Sequence, residues 1–81
     1  MSTLLTLDRM RADVAALLHE EPAAIGDDDD LIALGLDSLL AMELVSRWSE
    51  ATEHPLRFAD LAEQPTLAGW WRVVGQRAAR S

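Results

Sequence analysis

The chain has 81 residues and no cysteine, so it forms at most one small domain held by packing, with no disulfide, thiolate nucleophile or zinc–thiolate site. Its 14 Asp and Glu against 7 Lys and Arg leave a net charge of −7, which argues against nucleic acid and anionic membrane surfaces and for basic protein partners. Close to half the residues are apolar and three are tryptophan, enough for one core but not for a deep catalytic cleft as well. No apolar run approaches a membrane span or a signal-peptide core, which points to a cytoplasmic protein.

Met1 to Thr6 reads as a loose lead-in. Leu7, Met10, Val14, Leu17 and Leu18 then recur at helical spacing and predict a helix from about Leu7 to Glu20. Asp8 in its first turn suits the helix dipole, His19 near its end reads as a surface residue, and Pro22 closes it.

Pro22 to Asp37 is a long connection without a period. A loop of that length in so small a domain is functional or pinned by its own side chains. Some of Ile25, Leu31, Ile32, Leu34 and Leu36 are expected to tuck into the core. The run Asp27 to Asp30 suggests calcium, but the frame fails. A calcium loop begun at Asp27 puts Leu31 at its fifth position, Ile32 where glycine is needed and Ser38 where glutamate is needed. No metal site is expected; the acidic run reads as a solvated loop or a helix-dipole partner.

A second helix is predicted from about Ser38 to Ala51. Gly35 suits a tight loop exit. Asp37 and Ser38 are both good starting residues, so an ordinary cap remains an open reading of Ser38. At about 100° per residue, Ala41, Leu44, Val45 and Trp48 share the core face. Leu39 and Met42 fall on the far side, and Leu40 falls at the boundary. Exposed apolar neighbours mark a contact surface, unless a nearby loop covers them.

Thr52 to Arg57 is a turn, in which His54 lacks a partner at catalytic spacing. Phe58 to Ala62 reads as a short third helix, with Phe58 and Ala62 on one face and Leu61 toward the core. Thr66 caps the last helix, whose stripe is Leu67, Trp70, Trp71, Val74 and Ala78. Trp48, Trp70 and Trp71 are expected to be core residues, joined by Leu17, Leu44, Val45 and Val74. Gln76 to Ser81 is expected to fray.

These elements make an all-α chain of three longer helices and a short third one, with a long loop between helices 1 and 2. With Leu34-Gly35-Leu36-Asp37-Ser38-Leu39 opening helix 2, the stretch from about Leu7 to Val74 resembles the carrier-protein family. The resemblance implies a four-helix carrier bundle, a single domain over 1–81 with a core of about 7–75. It implies a covalent 4′-phosphopantetheine arm on Ser38, whose thiol carries acyl groups as thioesters, and an Asp37 that helps meet the magnesium of the attaching phosphopantetheinyl transferase.

Leu36 stands where peptidyl carriers usually have a second glycine. Arg47-Trp48, Pro65-Thr66 and Trp70-Trp71 resemble the aryl carriers of siderophore and related nonribosomal peptide pathways. That likeness implies an aryl-acid adenylating enzyme and a condensation domain as partners of a monomeric, non-enzymatic chain. Met42, Phe58 and Ala62 match the family's condensation contacts, flanked here by Leu39 and Leu40. Aryl carriers often follow an isochorismatase domain, and Met1 favours a free-standing carrier. Fatty-acid, polyketide and peptidyl carriers are the nearest alternatives, and a plain helical adaptor is the alternative from another class.

Overall fold

Three of the four helices in the computed structural model begin at a short polar side chain that takes up an orphan first-turn N–H. The structure describes residues 5–52 and 55–77 and the backbone of 78–80. The expectations for His54 and for the side chain of Ala78 therefore lie outside the described residues. Helix α1, Leu7–Leu18, is capped by Thr6, whose Oγ1 accepts the Arg9 N–H at 3.1 Å. Helix α2, Ser38–Ser49, is capped by Asp37. Helix α3 is Phe58–Glu63. Helix α4, Leu67–Arg80, starts after Thr66, which accepts the Gly69 N–H at 3.0 Å. A Cβ on Gly69 would stand 2.8 Å from Gln64 Oε1 and 3.0 Å from Thr66 Oγ1, so this cap is packed around a glycine.

Several boundaries differ from the sequence expectation. Leu5 is buried rather than part of a loose lead-in. Helix α1 stops before Glu20 because His19 takes the left-handed conformation at φ 58°, and the Glu20 N–H closes back on the Ala15 carbonyl at 2.8 Å. Helix α2 ends at Ser49 rather than Ala51. Helix α4 continues through Gln76 and Arg77 to Arg80 instead of fraying, and Arg77 is tied by its side chain to α3.

The long loop is bolted down. Ile25, Leu31 and Leu36 are buried, whereas Ile32 and Leu34 stay exposed. Its backbone is stitched to the start of α4: Leu31 N–H donates to the Pro65 carbonyl and Ala68 N–H to the Asp27 carbonyl, both at 2.9 Å. Arg11 of α1 reaches across to the Ile25 carbonyl and the Asp27 carboxylate. Asp29 and Asp30 accept N–H groups of their own loop, from Gly26 at 2.8 Å and Ile32 at 3.0 Å. The acidic run is thus loop architecture, and no cluster of candidate metal ligands occurs among the described residues.

Helix α1 packs on α2 and α4, and α3 packs on α2 and α4. Between α2 and α4 the centre is filled by two fully buried indoles, Trp48 and Trp70, edge to face with centroids 5.8 Å apart and planes at 64°. Each indole N–H is satisfied: Trp48 donates to Asp13 Oδ2 at 2.8 Å and Trp70 to the Leu61 carbonyl at 3.3 Å. Leu44, Leu61 and Leu67 are fully buried around them and Val74 is nearly so, while Leu17 and Val45 are partly buried. Trp71 contradicts the expected core position: it is 37% exposed. Leu67, Trp70 and Val74 occupy the inward stripe, and Trp71 lies a further ~100° round the helix, at the stripe's edge. No helix among the described residues is long and apolar enough to cross a membrane.

Candidate functional site

The site begins with a division of labour between adjacent residues. Asp37 is extended at φ −128°, and its Oδ1 accepts the Leu40 N–H at 2.9 Å. Its carbonyl accepts the Ala41 N–H, also at 2.9 Å. Asp37 is therefore the cap, and Ser38 is the first residue inside the helix. The reading of Ser38 as an ordinary cap is overturned. Ser38 is exposed, and its hydroxyl makes no hydrogen bond among the described residues. Among the described residues no side chain hydrogen-bonds this hydroxyl as a base would, and Asp37 Oδ1 is engaged in the cap. Such a hydroxyl does not activate itself.

The chain reaches Ser38 through a tight turn. Leu36 N–H donates to the Leu31 carbonyl at 2.9 Å, and Gly35 sits at φ 120°, a conformation that side-chain-bearing residues rarely adopt. With Leu31 and Leu36 both buried, the two ends of this turn are anchored, and the start of α2 is fixed relative to the core.

An open groove of about 350 Å³ lies beside the serine. Asp37 and Ser38 form its polar end. Ile32 and Leu36 line it from the turn, Ala41 from α2, and Phe58, Leu61 and Ala62 from α3. The chemistry it offers is shelter for an apolar group beside Ser38. Of the residues singled out in sequence, the structure brings Asp37, Ser38, Phe58 and Ala62 together here. Leu39 and Met42 are not in the groove but face solvent on α2, at 82% and 51% exposure. Phe58 is 40% exposed at the groove's rim. Leu40 is half-buried and packs against the core, so only two of the three first-turn apolar residues are solvent-facing. Ile32 escaped sequence reasoning as a groove residue, because an irregular loop carries no period from which its direction could be read.

Helix α3 is held from α4. Arg77 lies over its N-terminal end, with Nη2 donating to Asp60 Oδ1 at 3.0 Å, Nη1 2.7 Å from Asp60 Oδ2, and Nη1 donating to the Pro55 carbonyl at 3.0 Å. Asp60 Oδ2 also accepts the Arg57 N–H at 2.8 Å. Partial burial pushes the Asp60 carboxyl up. The Arg77 hydrogen bond, the Arg57 N–H and the charges of both arginines outweigh it and hold the group below its ordinary range.

Fold and site together define a small helical domain that presents an unengaged serine at a helix start, beside an apolar groove, with no catalytic constellation around it among the described residues. The family profile described as "phosphopantetheine attachment site" matches residues 8–74, and the chain belongs to that family of non-catalytic carrier domains. It is 49% identical over 72 residues to a phenyloxazoline synthase of Mycobacterium sp. (strain MCS), covering 89% of this chain and 6% of the synthase. It is 36% identical over 77 residues to an acyl carrier protein of Streptomyces coeruleorubidus, covering 95% of this chain and 89% of the relative. It is 36% identical over 67 residues to component B of the enterobactin synthase of Escherichia coli (strain K12), covering 83% of this chain and 23% of that protein. The chain thus spans a small part of the first and third of these and nearly all of the second. No solved structure matches it significantly.

The residues present fit the family's prosthetic group. A phosphodiester on Ser38 Oγ would sit at the N-terminus of a twelve-residue helix, where its charge is favoured. The groove offers an apolar wall to whatever the group carries.

Proposed function

We propose that Ser38 is the attachment point of the 4′-phosphopantetheine arm, and that residues 1–81 form one carrier domain that takes an aryl acid from an adenylating enzyme to a condensation enzyme. The single observation behind this reading is the unengaged, exposed Ser38 hydroxyl at the first position of α2, left unbonded by the Asp37 cap. Without a base of its own, Ser38 depends on a phosphopantetheinyl transferase, which would take up its proton as the serine oxygen bonds the pantetheine-bearing phosphorus of coenzyme A and the pyrophosphate bond breaks, releasing 3′,5′-adenosine bisphosphate. Asp37 then serves twice, capping the helix and lending negative charge for the transferase's magnesium. The bound arm supplies a thiol on which an acyl group rides as a thioester.

The aryl assignment draws on the phenyl-bearing product in the name of the 49% identical relative, and on Arg47-Trp48, Pro65-Thr66 and Trp70-Trp71. Met42, Phe58 and Ala62, with Leu39 and Leu40 beside them, are proposed as the docking patch for the condensation enzyme. The net charge of −7 suits basic partners and rapid, weak encounters of a monomer that must leave one enzyme for the next. A second reading, another kind of acyl cargo, is favoured by the acyl carrier protein that matches along nearly its whole length.

Incubation with a broad-specificity phosphopantetheinyl transferase and coenzyme A, read by intact mass, tests the attachment. A panel of adenylating enzymes for aryl acids, amino acids and fatty acids then separates the cargo classes. Loading with a fatty acid and with no aryl acid would refute the aryl assignment.

A further inference from the structure

Helix α3 supplies three of the residues that line the groove, yet little within the helix itself holds it in place. It is six residues long, too short to be stable alone, and Leu61 is its one buried side chain. Its later half is fastened by the indole N–H of Trp70 on the Leu61 carbonyl. Its earlier half, which carries Phe58, is fastened by Arg77. One guanidinium there bridges the Asp60 carboxylate through both nitrogens and also grips the Pro55 carbonyl in the segment entering the helix. Asp60 returns a bond to the Arg57 N–H. The carboxylate keeps 15% and the arginine 31% of its side-chain surface, so the pair is shielded more than an ordinary surface ion pair. The planar fork of an arginine makes all three contacts at once, which a lysine ammonium does not reproduce.

We infer that Arg77 and Asp60 are positioning residues that lock α3 onto α4, so that Phe58 and Ala62 meet an incoming enzyme as a preformed surface beside Ser38. The inference rests on the docking role proposed above for the α3 face. Without the lock, α3 remains attached through Leu61 and Trp70 but its first turn opens. A partner enzyme must then order that turn as it docks, which weakens binding and leaves the chemical step unaltered.

The test uses the arm-bearing protein and its Arg77→Gln, Arg77→Lys and Asp60→Asn variants. Intact mass first establishes that wild type accepts the arm. Failure there refutes the carrier reading and leaves the following measurement on α3 standing by itself. Amide hydrogen exchange is then followed residue by residue. Arg77→Gln and Asp60→Asn are expected to lose roughly tenfold protection over residues 58–63 while α1 and α2 keep theirs. With each protein chemically loaded with an aryl group, transfer by the condensation enzyme is expected to show KM raised about tenfold at unchanged kcat, since a 1.4 kcal/mol loss of binding is tenfold. Arg77→Lys is expected to restore part of both. Unchanged exchange in α3, an even loss across all helices, or a wild-type KM alongside a loosened α3 would each overturn the inference. Met42→Ala, which leaves the lock intact, reports separately on the docking patch: wild-type KM there together with raised KM in Arg77→Gln keeps the lock and removes Met42 from the patch.

Discussion

Asp37 Oδ1 accepts the Leu40 N–H at 2.9 Å, and this contact leaves the Ser38 hydroxyl out of the helix cap. Had the serine been the cap, its hydroxyl would be committed to the helix; one position later it is exposed and unengaged. Ser38→Ala is therefore expected to change stability by no more than about 0.5 kcal/mol, the range for surface substitutions away from special features. It is also expected to take up no arm. Asp37→Ala is expected to cost about 1 kcal/mol, and Asp37→Asn, an equally good cap, far less. Urea titrations and intact mass check all three. Arm attachment located elsewhere than on residue 38 would remove the assignment.

The two indoles at the centre predict a contrast between tryptophans. Trp48→Ala is expected to cost about 3–5 kcal/mol, because it empties a fully buried site and strips Asp13 of a donor. A domain of this size has little more than that to lose. Trp71→Ala, on the exposed edge of α4, is expected to cost a small fraction of this. Equal denaturation midpoints for the two variants would contradict the observed packing.

Acid is expected to weaken the α3–α4 lock. Asp60 is held below its ordinary value of 3.8, so it binds a proton less readily when folded than when unfolded. The stability this contributes is present in full above the unfolded value. It is lost as pH falls below 3.8 through the lower folded value. The stability gap between wild type and Asp60→Asn is therefore expected to be constant from neutral pH to about 5 and to narrow below about 4. Urea unfolding of both proteins across that range is the measurement, and a gap independent of pH would contradict the origin assigned to the shift.

Changing Met42 or Phe58 to alanine removes an apolar anchor of the kind that dominates small interfaces. Neither is part of the buried core, so fold and arm attachment are expected to survive. Aryl transfer from chemically loaded variants to the next substrate is expected to fall. Wild-type transfer by both variants would show that docking lies elsewhere.

Features set by short-range chemistry are legible in the amino-acid sequence itself. Thr66 at a helix start, the spacing of Met10 and Val14, the core face of Ala41, Leu44 and Trp48, and the outward direction of Leu39 and Met42 follow from one turn of backbone and one helical period. The Asp37-Ser38 pair is legible as a helix start for the same reason, and the family resemblance makes it the proposed attachment site. Which of the two caps the helix is not legible, because both side chains can do so, and the approach through the anchored Leu31–Leu36 turn decides. Trp71 fits the apolar stripe of α4 by periodicity, yet it lies at the stripe's edge and stays partly exposed while Trp70 fills the centre. The Asp60–Arg77 lock joins residues 17 apart that share no sequence pattern. The groove beside Ser38 is likewise a product of three segments, since Ile32, Ala41 and Phe58 meet when the loop, α2 and α3 pack, and local propensity carries no information about that meeting.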